Sequence, residues 1–374
     1  MTGFARHETA LDALTARGRL RRLAPRVGHD FASNDYLGLA GSDVLRAAAH
    51  AALDRGVAVG AGGSRLLRGN DAEHMALEAM AAQHFGTERA LFMGGGFTAN
   101  QAIFACLPMP EDLVLYDALI HASAHDGMRL GRTETLAFAH NDPADAQVQV
   151  KVWRGRGGKG RVWLAIESLY SMGGDFAPLA DFAALAVAEE AVLVVDEAHA
   201  TGLYGANGGG LTQGLDHGPN LLTLHTCGKA LGVSGALICG AAVLIDTLIT
   251  KARGFIYATA PSPLNAALVA AALQHVQANP KLRHDALALV GHANAQAAMQ
   301  GFVGHQSQIL PILLGTDQRV MQVAAALQAR GYDVRGIRPP TVPRGTARLR
   351  ISITQNTSAA VITALFAYLA QVAA

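Results

Sequence analysis

Lys229 is the residue whose surroundings in the sequence most strongly indicate covalent chemistry. It lies between Gly228 and Ala230 in the stretch TLHTCGKALGVSG, which leads into an apolar segment, and the chain holds only five lysines. Burial disfavours the ammonium form of lysine, and a neutral lysine amine is a nucleophile that forms a Schiff base with a carbonyl group. The stretch is also compatible with an ordinary loop lysine whose ammonium group reaches water.

Other polar residues lie directly after predicted strands. Asp196 follows a fully apolar strand, so its carboxylate would be partly buried and would need a cationic or donor partner. His121 and Ser171 also lie just past strand ends, and His199 follows Asp196 closely. Because the carboxyl ends of parallel strands meet at one edge of a sheet, these groups are expected to surround a common cavity with Lys229.

A glycine-rich turn supplies another kind of group. Gly94, Gly95 and Gly96 follow a short apolar strand, and Phe97 opens a predicted helix. A strand, a glycine turn and a helix N-terminus bind phosphate through free backbone N–H groups and the helix dipole, but such turns also join strands to helices without any ligand. Together with the two imidazoles, this set contains the parts that pyridoxal phosphate requires: an amine for a Schiff base, an acid at the ring nitrogen and a phosphate cradle.

The elements that must position these residues alternate between strands and helices. This alternation predicts a parallel α/β sheet with its site at the carboxyl ends of the strands. An amphipathic helix is predicted over 5–23, and residues 151–160 are predicted to form a surface loop. Strands are predicted over 90–93, 112–116, 135–138, 161–167, 191–195, 221–226 and 236–245, the last of these ranges holding one or two strands.

The pattern divides the chain into three segments. Residues 1–45 are expected to form an N-terminal helix and arm, residues 46–275 a large α/β domain, and residues 276–374 a small C-terminal α+β domain. The second boundary rests on Asn279 and Pro280, which break a long alanine-leucine helix before a further set of helices and strands.

Composition argues against several other classes of function. A formal net charge of +1 gives no electrostatic reason to bind nucleic acid or an anionic membrane. Three cysteines without C-x-x-C spacing indicate neither a disulfide framework nor a zinc site, which fits a reducing cytosol. No segment has the length and hydropathy of a membrane span, and the N-terminal segment lacks the apolar core of a signal peptide. A cytoplasmic protein without a metal is therefore expected.

Nine stretches, in a fixed order, cover nearly the whole chain: SNDYLGL (33–39), GAGGSRLLRGN (60–70), GGGFTANQA (94–102), HASAHDGMR (121–129), ESLYSMGGDFAPL (167–179), DEAHATGLYGANGGG (196–210), HTCGKALGVSGA (225–236), FIYATAPSP (255–263) and RPPTVPRGTARLRIS (338–352). Together they resemble the α-oxoamine synthase family of fold-type-I pyridoxal-phosphate enzymes. The resemblance implies bound pyridoxal 5'-phosphate and a homodimer with its sites at the interface. It also implies a large domain with a mostly parallel central sheet flanked by helices, and a small α+β domain.

By this resemblance, Lys229 is the Schiff-base lysine, Asp196 pairs with the pyridine nitrogen, and His121 stacks on the ring. The ring hydroxyl and the phosphate have further expected ligands, namely Ser171, His199, Gly96, Phe97, Thr226 and, reaching across to a neighbouring subunit, Thr259. Substrate contacts are expected from Arg21, Arg338, Thr341 and Arg350. Of the two later arginines, Arg338 is favoured over Arg350 for the carboxylate of the amino acid.

The resemblance is strongest to family members that condense L-alanine with a pimeloyl thioester in biotin-ring assembly, with release of CO2 and a free thiol. The carrier of the thioester is either coenzyme A or an acyl carrier protein. Members that use glycine or serine with acetyl-, succinyl- or palmitoyl-CoA remain alternatives, as does a non-catalytic partner subunit, although such subunits typically lack the lysine. The segment before Ser33 is shorter than is usual in the family, which predicts an abbreviated N-terminal lid.

Overall fold

The computed structural model of the protein describes residues 3–23, 25–215, 220–304 and 306–373. Its helices are α1 (Ala5–Ala16), α2 (Asp43–Asp54), α3 (Ala72–Phe85), α4 (Gly96–Cys106), α5 (Ala122–Leu130), α6 (Pro143–Gly155), α7 (Leu179–Ala188), α8 (Ala242–Lys251), α9 (Arg253–Ile256), α10 (Pro263–Ala278), α11 (Pro280–Met299), α12 (Asp317–Ala329) and α13 (Ala359–Ala373). Its strands are β1 (His29–Asp30), β2 (Arg89–Met93), β3 (Leu113–Asp117), β4 (Glu134–Phe138), β5 (Val162–Glu167), β6 (Val192–Asp196), β7 (Leu221–Thr226), β8 (Ala236–Gly240), β9 (Ile309–Gly315), β10 (Tyr332–Asp333), β11 (Arg335–Ile337) and β12 (Ala347–Ser352).

A seven-stranded sheet in the order β2-β8-β7-β6-β5-β3-β4 forms the centre of the molecule. β8 runs antiparallel to both of its neighbours, and the other pairings are parallel. β6, with the sequence VLVVD, is buried at every position because its alternate residues pack into different cores. Val194 belongs to one core with residues of α4, α5 and α8, whereas Val195 belongs to another with residues of α6 and α7.

The parallel strands end at one edge of this sheet, where several of the predicted functional residues lie. Asp196 is the last residue of β6, and its register partner on β5 is Glu167. Thr226 ends β7, which leads into the turn that carries Lys229. The glycine turn follows β2 at the same edge, and Gly96 is the first residue of α4. The prediction of a mostly parallel sheet is confirmed, and the functional role of the residues at this edge stays a prediction.

A smaller antiparallel sheet, in the order β11-β12-β9, is formed by the C-terminal part of the chain. Its apolar residues pack with α11, α12 and α13 in a separate core that includes Leu349, Ile351 and Phe366. β1 pairs in parallel with β10, so the segment before the large sheet is attached to this C-terminal part. The division of the chain after residues 45 and 275 stays a prediction.

Three of the sequence predictions about local structure are wrong. The helix expected over 5–23 ends at Ala16, and α1 buries none of its residues. The loop expected over 151–160 is helical as far as Gly155, because α6 continues and packs Trp153 into the core. The second half of 236–245 is the start of α8, whose Ile245 and Leu248 are buried, since a short apolar run fits a buried helix as well as a strand.

Within the described ranges, no helix has both the length and the apolar character needed to cross a bilayer. The same ranges hold no cluster of His, Cys, Asp and Glu residues that could ligate a metal ion.

Candidate active site

Lys229 lies in a tight turn between β7 and β8. Backbone hydrogen bonds hold this turn, including one from Cys227 N to Gly235 O of 2.9 Å and one from Gly232 N to Lys229 O of 2.9 Å. The Lys229 side chain is partly buried, and its Nζ lies 2.8 Å from His199 Nε2. Burial lowers the pKa of Lys229 to about 8, although the charge of Asp196 opposes this shift. About half of the amine is therefore neutral near pH 8, a far larger fraction than an exposed lysine would have at that pH.

His199 is the direct neighbour of that amine and is itself buried. Its other ring nitrogen, Nδ1, lies 2.6 Å from Tyr36 Oη, so both nitrogens have partners. Burial, reinforced by the positive charge of Lys229, holds the pKa of His199 well below its usual range. Gln308 Nε2 donates to His199 O at 2.7 Å and fixes the backbone. A neutral imidazole beside Lys229 avoids a second positive charge at this point.

Asp196 is held by donors on both of its oxygens. Ala198 N donates to Oδ1 at 2.9 Å, and Asn100 Nδ2 donates to Oδ2 at 2.8 Å. The Asn100 amide also lies 3.0 Å from Ser123 Oγ, which is 2.7 Å from His121 Nδ1. A chain of hydrogen bonds therefore joins the buried carboxylate to His121, whose side chain caps α5 through a bond from Ser123 N.

The glycine turn approaches the end of β7 very closely. A Cβ atom on Gly96 would lie 2.4 Å from Thr226 Oγ1, so only glycine fits there without a shift. Phe97 is exposed, and its ring lies nearly perpendicular to that of His121 at a centroid distance of 6.4 Å. The first N–H groups of a helix have no partners within the helix. The start of α4 and the Thr226 hydroxyl can therefore bind an anion together.

Arg350, on β12, is a buried cation whose partners are neutral. Nε donates to Ser171 O at 2.6 Å, Nη1 donates to Ser352 Oγ at 2.7 Å, and Nη2 donates to Asn34 Oδ1 at 2.9 Å. No acidic side chain in the described part of the chain forms an ion pair with Arg350. A buried guanidinium without a counter-charge is a strong site for a carboxylate ligand.

Glu167 is a site residue that the sequence predictions did not include. Its Oε2 accepts a hydrogen bond of 3.2 Å from Ser171 N, and its Oε1 is buried without a partner in the part of the chain that the structure describes. Burial raises the pKa of Glu167 well above its usual range, and the charge of Asp196 adds to the shift. Glu167 is the acidic first residue of the stretch ESLYSMGGD, at a strand end beside Asp196, and this position was the available signal.

Three predicted substrate residues line a cavity of about 900 Å³ beside the N-terminal segment. Arg21, Arg338 and Thr341 line it together, and Arg338 Nη1 donates to Gly18 O. Thr341 also lines a neighbouring cavity that contains His121 and Ser171.

Thr259 is exposed in the segment after α9. The residue after it donates from its N–H to Gly63 O at 2.9 Å, which joins this segment to the glycine-rich loop over 56–69. None of the contacts in the described chain connects Thr259 to the residues around Lys229.

Residues 27–368 match the family of class I and II aminotransferases. The chain belongs to this family. The resemblance to the α-oxoamine synthase family, predicted from the nine sequence stretches, is also confirmed. Enzymes of that family are among the relatives and solved structures to which the chain is similar.

A protein from Anaeromyxobacter dehalogenans named 8-amino-7-oxononanoate synthase is 39% identical over 378 residues, which cover 97% of this chain and 94% of that protein. Among solved structures, serine palmitoyltransferase from S. paucimobilis is 25% identical with a TM-score of 0.88, and the match covers 99% of this chain and 97% of that one. The structure of 8-amino-7-oxononanoate synthase from Francisella tularensis is also 25% identical, with a TM-score of 0.76, covering 92% of this chain and 97% of that one. The predicted fold class is therefore confirmed.

Proposed function

We propose that this protein catalyses the decarboxylative condensation of L-alanine with a pimeloyl thioester, which yields 8-amino-7-oxononanoate, CO2 and a free thiol. The observation that carries the proposal is the position of Lys229 Nζ, 2.8 Å from a buried neutral imidazole and close to the Asp196 carboxylate. Relatives named for this reaction, 39% identical over nearly the whole chain, supply the substrate class.

The residues at the sheet edge fit pyridoxal phosphate. Glu167 Oε1 is a buried polar atom that finds no partner among the described residues, which points to a ligand that completes its hydrogen bonding. The close approach of Gly96 to Thr226 leaves backbone N–H groups and a hydroxyl side by side for a phosphate. Lys229 is the amine that would bond covalently to the cofactor aldehyde, and its lowered pKa suits that role.

The remaining assignments follow the same geometry. Asp196, held by Asn100 and Ala198, would accept a hydrogen bond from the protonated pyridine nitrogen. His121 would lie against the ring face. His199 and Ser171 would bind the region of the ring hydroxyl, and the phosphate would be held by Gly96, Phe97 and Thr226. Pyridoxal phosphate, once bound, accepts the electron pair released when a bond at the amino-acid α-carbon breaks.

Side chains of this protein would bind the amino acid and transfer its protons. Arg350 would bind the carboxylate of alanine, because its guanidinium is buried and has no acidic partner among the described residues. This assignment replaces Arg338, which points toward Gly18 in the other cavity. The Lys229 amine would take the α-proton of alanine and would return a proton to the product. His199 stays neutral beside it and so does not repel the ammonium group that forms.

We also propose that the active unit is a homodimer in which Thr259 reaches the phosphate of the neighbouring subunit. Thr259 is exposed, and no contact in the described chain joins it to the site residues of its own chain, which supports this proposal. Arg21 and Thr341 would contact the acyl thioester, whose carrier is coenzyme A or an acyl carrier protein.

A second candidate is a serine palmitoyltransferase-type reaction, since such a structure matches with a TM-score of 0.88. It is weaker, because that match is 25% identical whereas the relatives named for the pimeloyl reaction reach 39%.

Thiol release, measured with alanine, glycine and serine crossed against pimeloyl-, acetyl-, succinyl- and palmitoyl-CoA, tests the choice. The proposal requires the highest kcat/KM for alanine with pimeloyl-CoA. A clear preference for any other pair would refute it.

A further inference from the structure

A cavity of about 520 Å³ opens directly beside the candidate site, with His121 and Ser171 in its wall. Much of the remaining wall is apolar and comes from two segments that precede α5 and β12, including Leu119, Ile120, Val342 and Pro343. One guanidinium, that of Arg348, also lines this cavity. A cavity with apolar walls and a single arginine suits a hydrocarbon chain that ends in an anionic group.

Arg348 is two residues before Arg350 on β12, so both side chains leave the strand on the same face. Two residues along a strand span about 7 Å. A ligand anchored at Arg350 and a second anionic group at Arg348 would therefore occupy adjacent parts of one cleft.

The contacts of Arg348 leave its charge unpaired. Nε donates to Thr346 O at 3.0 Å, and Nη1 donates to Met172 O at the long distance of 3.4 Å. Asp175 is the acidic group that acts on Arg348 electrostatically, but its carboxylate is bound by His140 Nε2 at 2.6 Å. Two carbonyl contacts use only part of the five donors of a guanidinium. Nη2 of Arg348 has no bond among the described residues, and a carboxylate could be bound in the bidentate way.

We infer that Arg348 binds the distal carboxylate of the acyl chain and thereby selects a dicarboxylic acyl thioester over one that ends in a methyl group. This inference rests on the proposed function and adds the residue that recognises the far end of the acyl substrate. A methyl-terminated chain would fill the apolar walls but would leave the guanidinium without a partner, and sites built for a polar group discriminate strongly against analogues that lack it.

The test compares pimeloyl-CoA with heptanoyl-CoA, which has a chain of the same length and ends in a methyl group. For the Arg348→Met variant, kcat/KM with pimeloyl-CoA should fall by about 10- to 100-fold, chiefly through KM, because a charge-assisted hydrogen bond is lost. The value with heptanoyl-CoA should stay within about twofold of wild type, because this donor never used the guanidinium. Arg348→Lys, which keeps the charge, should recover part of the loss.

Arg344→Met is the matched control, because Arg344 is exposed and does not line the cavity. It should leave both donors unaffected. If Arg348→Met lowered kcat/KM equally with both donors, Arg348 would only support the Met172 segment, and the inference would be wrong. Equal kcat/KM values of the wild-type protein for the two donors would also overturn it. In either case the condensation itself persists, whereas a wild-type protein that condenses neither donor with alanine would refute the proposed function instead.

Discussion

Lys229 Nζ and His199 Nε2 lie 2.8 Å apart, and this contact links the two ends of the candidate site. On its other side His199 meets Tyr36 Oη at 2.6 Å, and Arg350 Nη2 reaches the same hydroxyl at 3.5 Å. The amine expected to bond to the cofactor and the cation expected to bind the amino acid are therefore joined through an imidazole and a phenol. A change at either end should be measurable at the other.

The pH dependence of covalent cofactor attachment should follow the neutral fraction of Lys229. Its pKa is lowered by burial to about 8, so the attachment rate should rise with pH and level off above that value. Below the midpoint, each pH unit lowers the neutral amine about tenfold. Stopped-flow absorbance after mixing apoprotein with pyridoxal phosphate measures this midpoint. A midpoint near the ordinary lysine value would contradict the burial of the amine.

Two substitutions should move that midpoint in opposite directions. The positive charge of Arg350 lowers the pKa of Lys229, so Arg350→Met should shift the midpoint upward. The negative charge of Asp196 raises the same pKa, so Asp196→Asn should shift it downward. Shifts in the same direction for both variants would show that burial changes, rather than charge, control the amine.

Arg350→Met should also raise the KM for alanine by about 100-fold, because a charge-assisted pair with the substrate carboxylate is lost. Arg338→Met should leave that KM within about twofold of wild type, since its side chain points toward Gly18 in the other cavity. Steady-state kinetics at saturating pimeloyl-CoA compares the two variants. A larger increase in the KM for alanine with Arg338→Met than with Arg350→Met would show that Arg338 binds the alanine carboxylate.

Asn100→Ala should weaken pyridoxal phosphate binding by about 10- to 100-fold, because the amide donates at 2.8 Å to the Asp196 carboxylate that would face the pyridine nitrogen. Equilibrium titration monitored by absorbance gives the dissociation constant. Asn100→Asp is a useful companion, because it places a second carboxyl group next to Asp196 and should weaken binding further. Unchanged affinity in both variants would remove Asn100 from the site.

Gly96→Ala should lower the affinity for pyridoxal phosphate by about tenfold, because the new Cβ would sit 2.4 Å from Thr226 Oγ1 and displace the hydroxyl. The control is Gly155→Ala at the end of α6, where a Cβ meets nothing within 4 Å. That variant should keep full affinity and should gain up to about 1 kcal/mol in the free energy of unfolding. Equal affinities in the two variants would argue against a phosphate at the start of α4.

The positions of several polar residues at or shortly after strand ends could be predicted from the sequence, because an apolar strand followed by polar residues is a local pattern; their roles in the site stay predictions. Lys229, Asp196 and His121 are all of this kind, and β7 matches its predicted range. Asn100 and Tyr36 were missed, because each meets its site partner through a contact between distant segments: Asn100 with Asp196, and Tyr36 with His199. The start of α8 was taken for a strand, since only its packing distinguishes a short buried helix from a buried strand.

The arginines illustrate the same limit. Arg338 and Arg350 lie twelve positions apart in one motif, and no local pattern distinguishes which one faces the site. Their difference arises from the return of β12 to the sheet edge, where Arg350 meets Ser171 O while Arg338 turns toward the N-terminal segment. The relative positions of the two cavities are likewise set by tertiary packing.

The central claim is tested most directly by incubating the protein, loaded with pyridoxal phosphate, with pimeloyl-CoA and alanine that carries an isotopic label in its carboxyl group. Mass spectrometry should find unlabelled 8-amino-7-oxononanoate, labelled CO2 and free coenzyme A in equal amounts, and Lys229→Ala should form none of them. A product that retains the label, or no condensation product despite bound cofactor, would contradict the account.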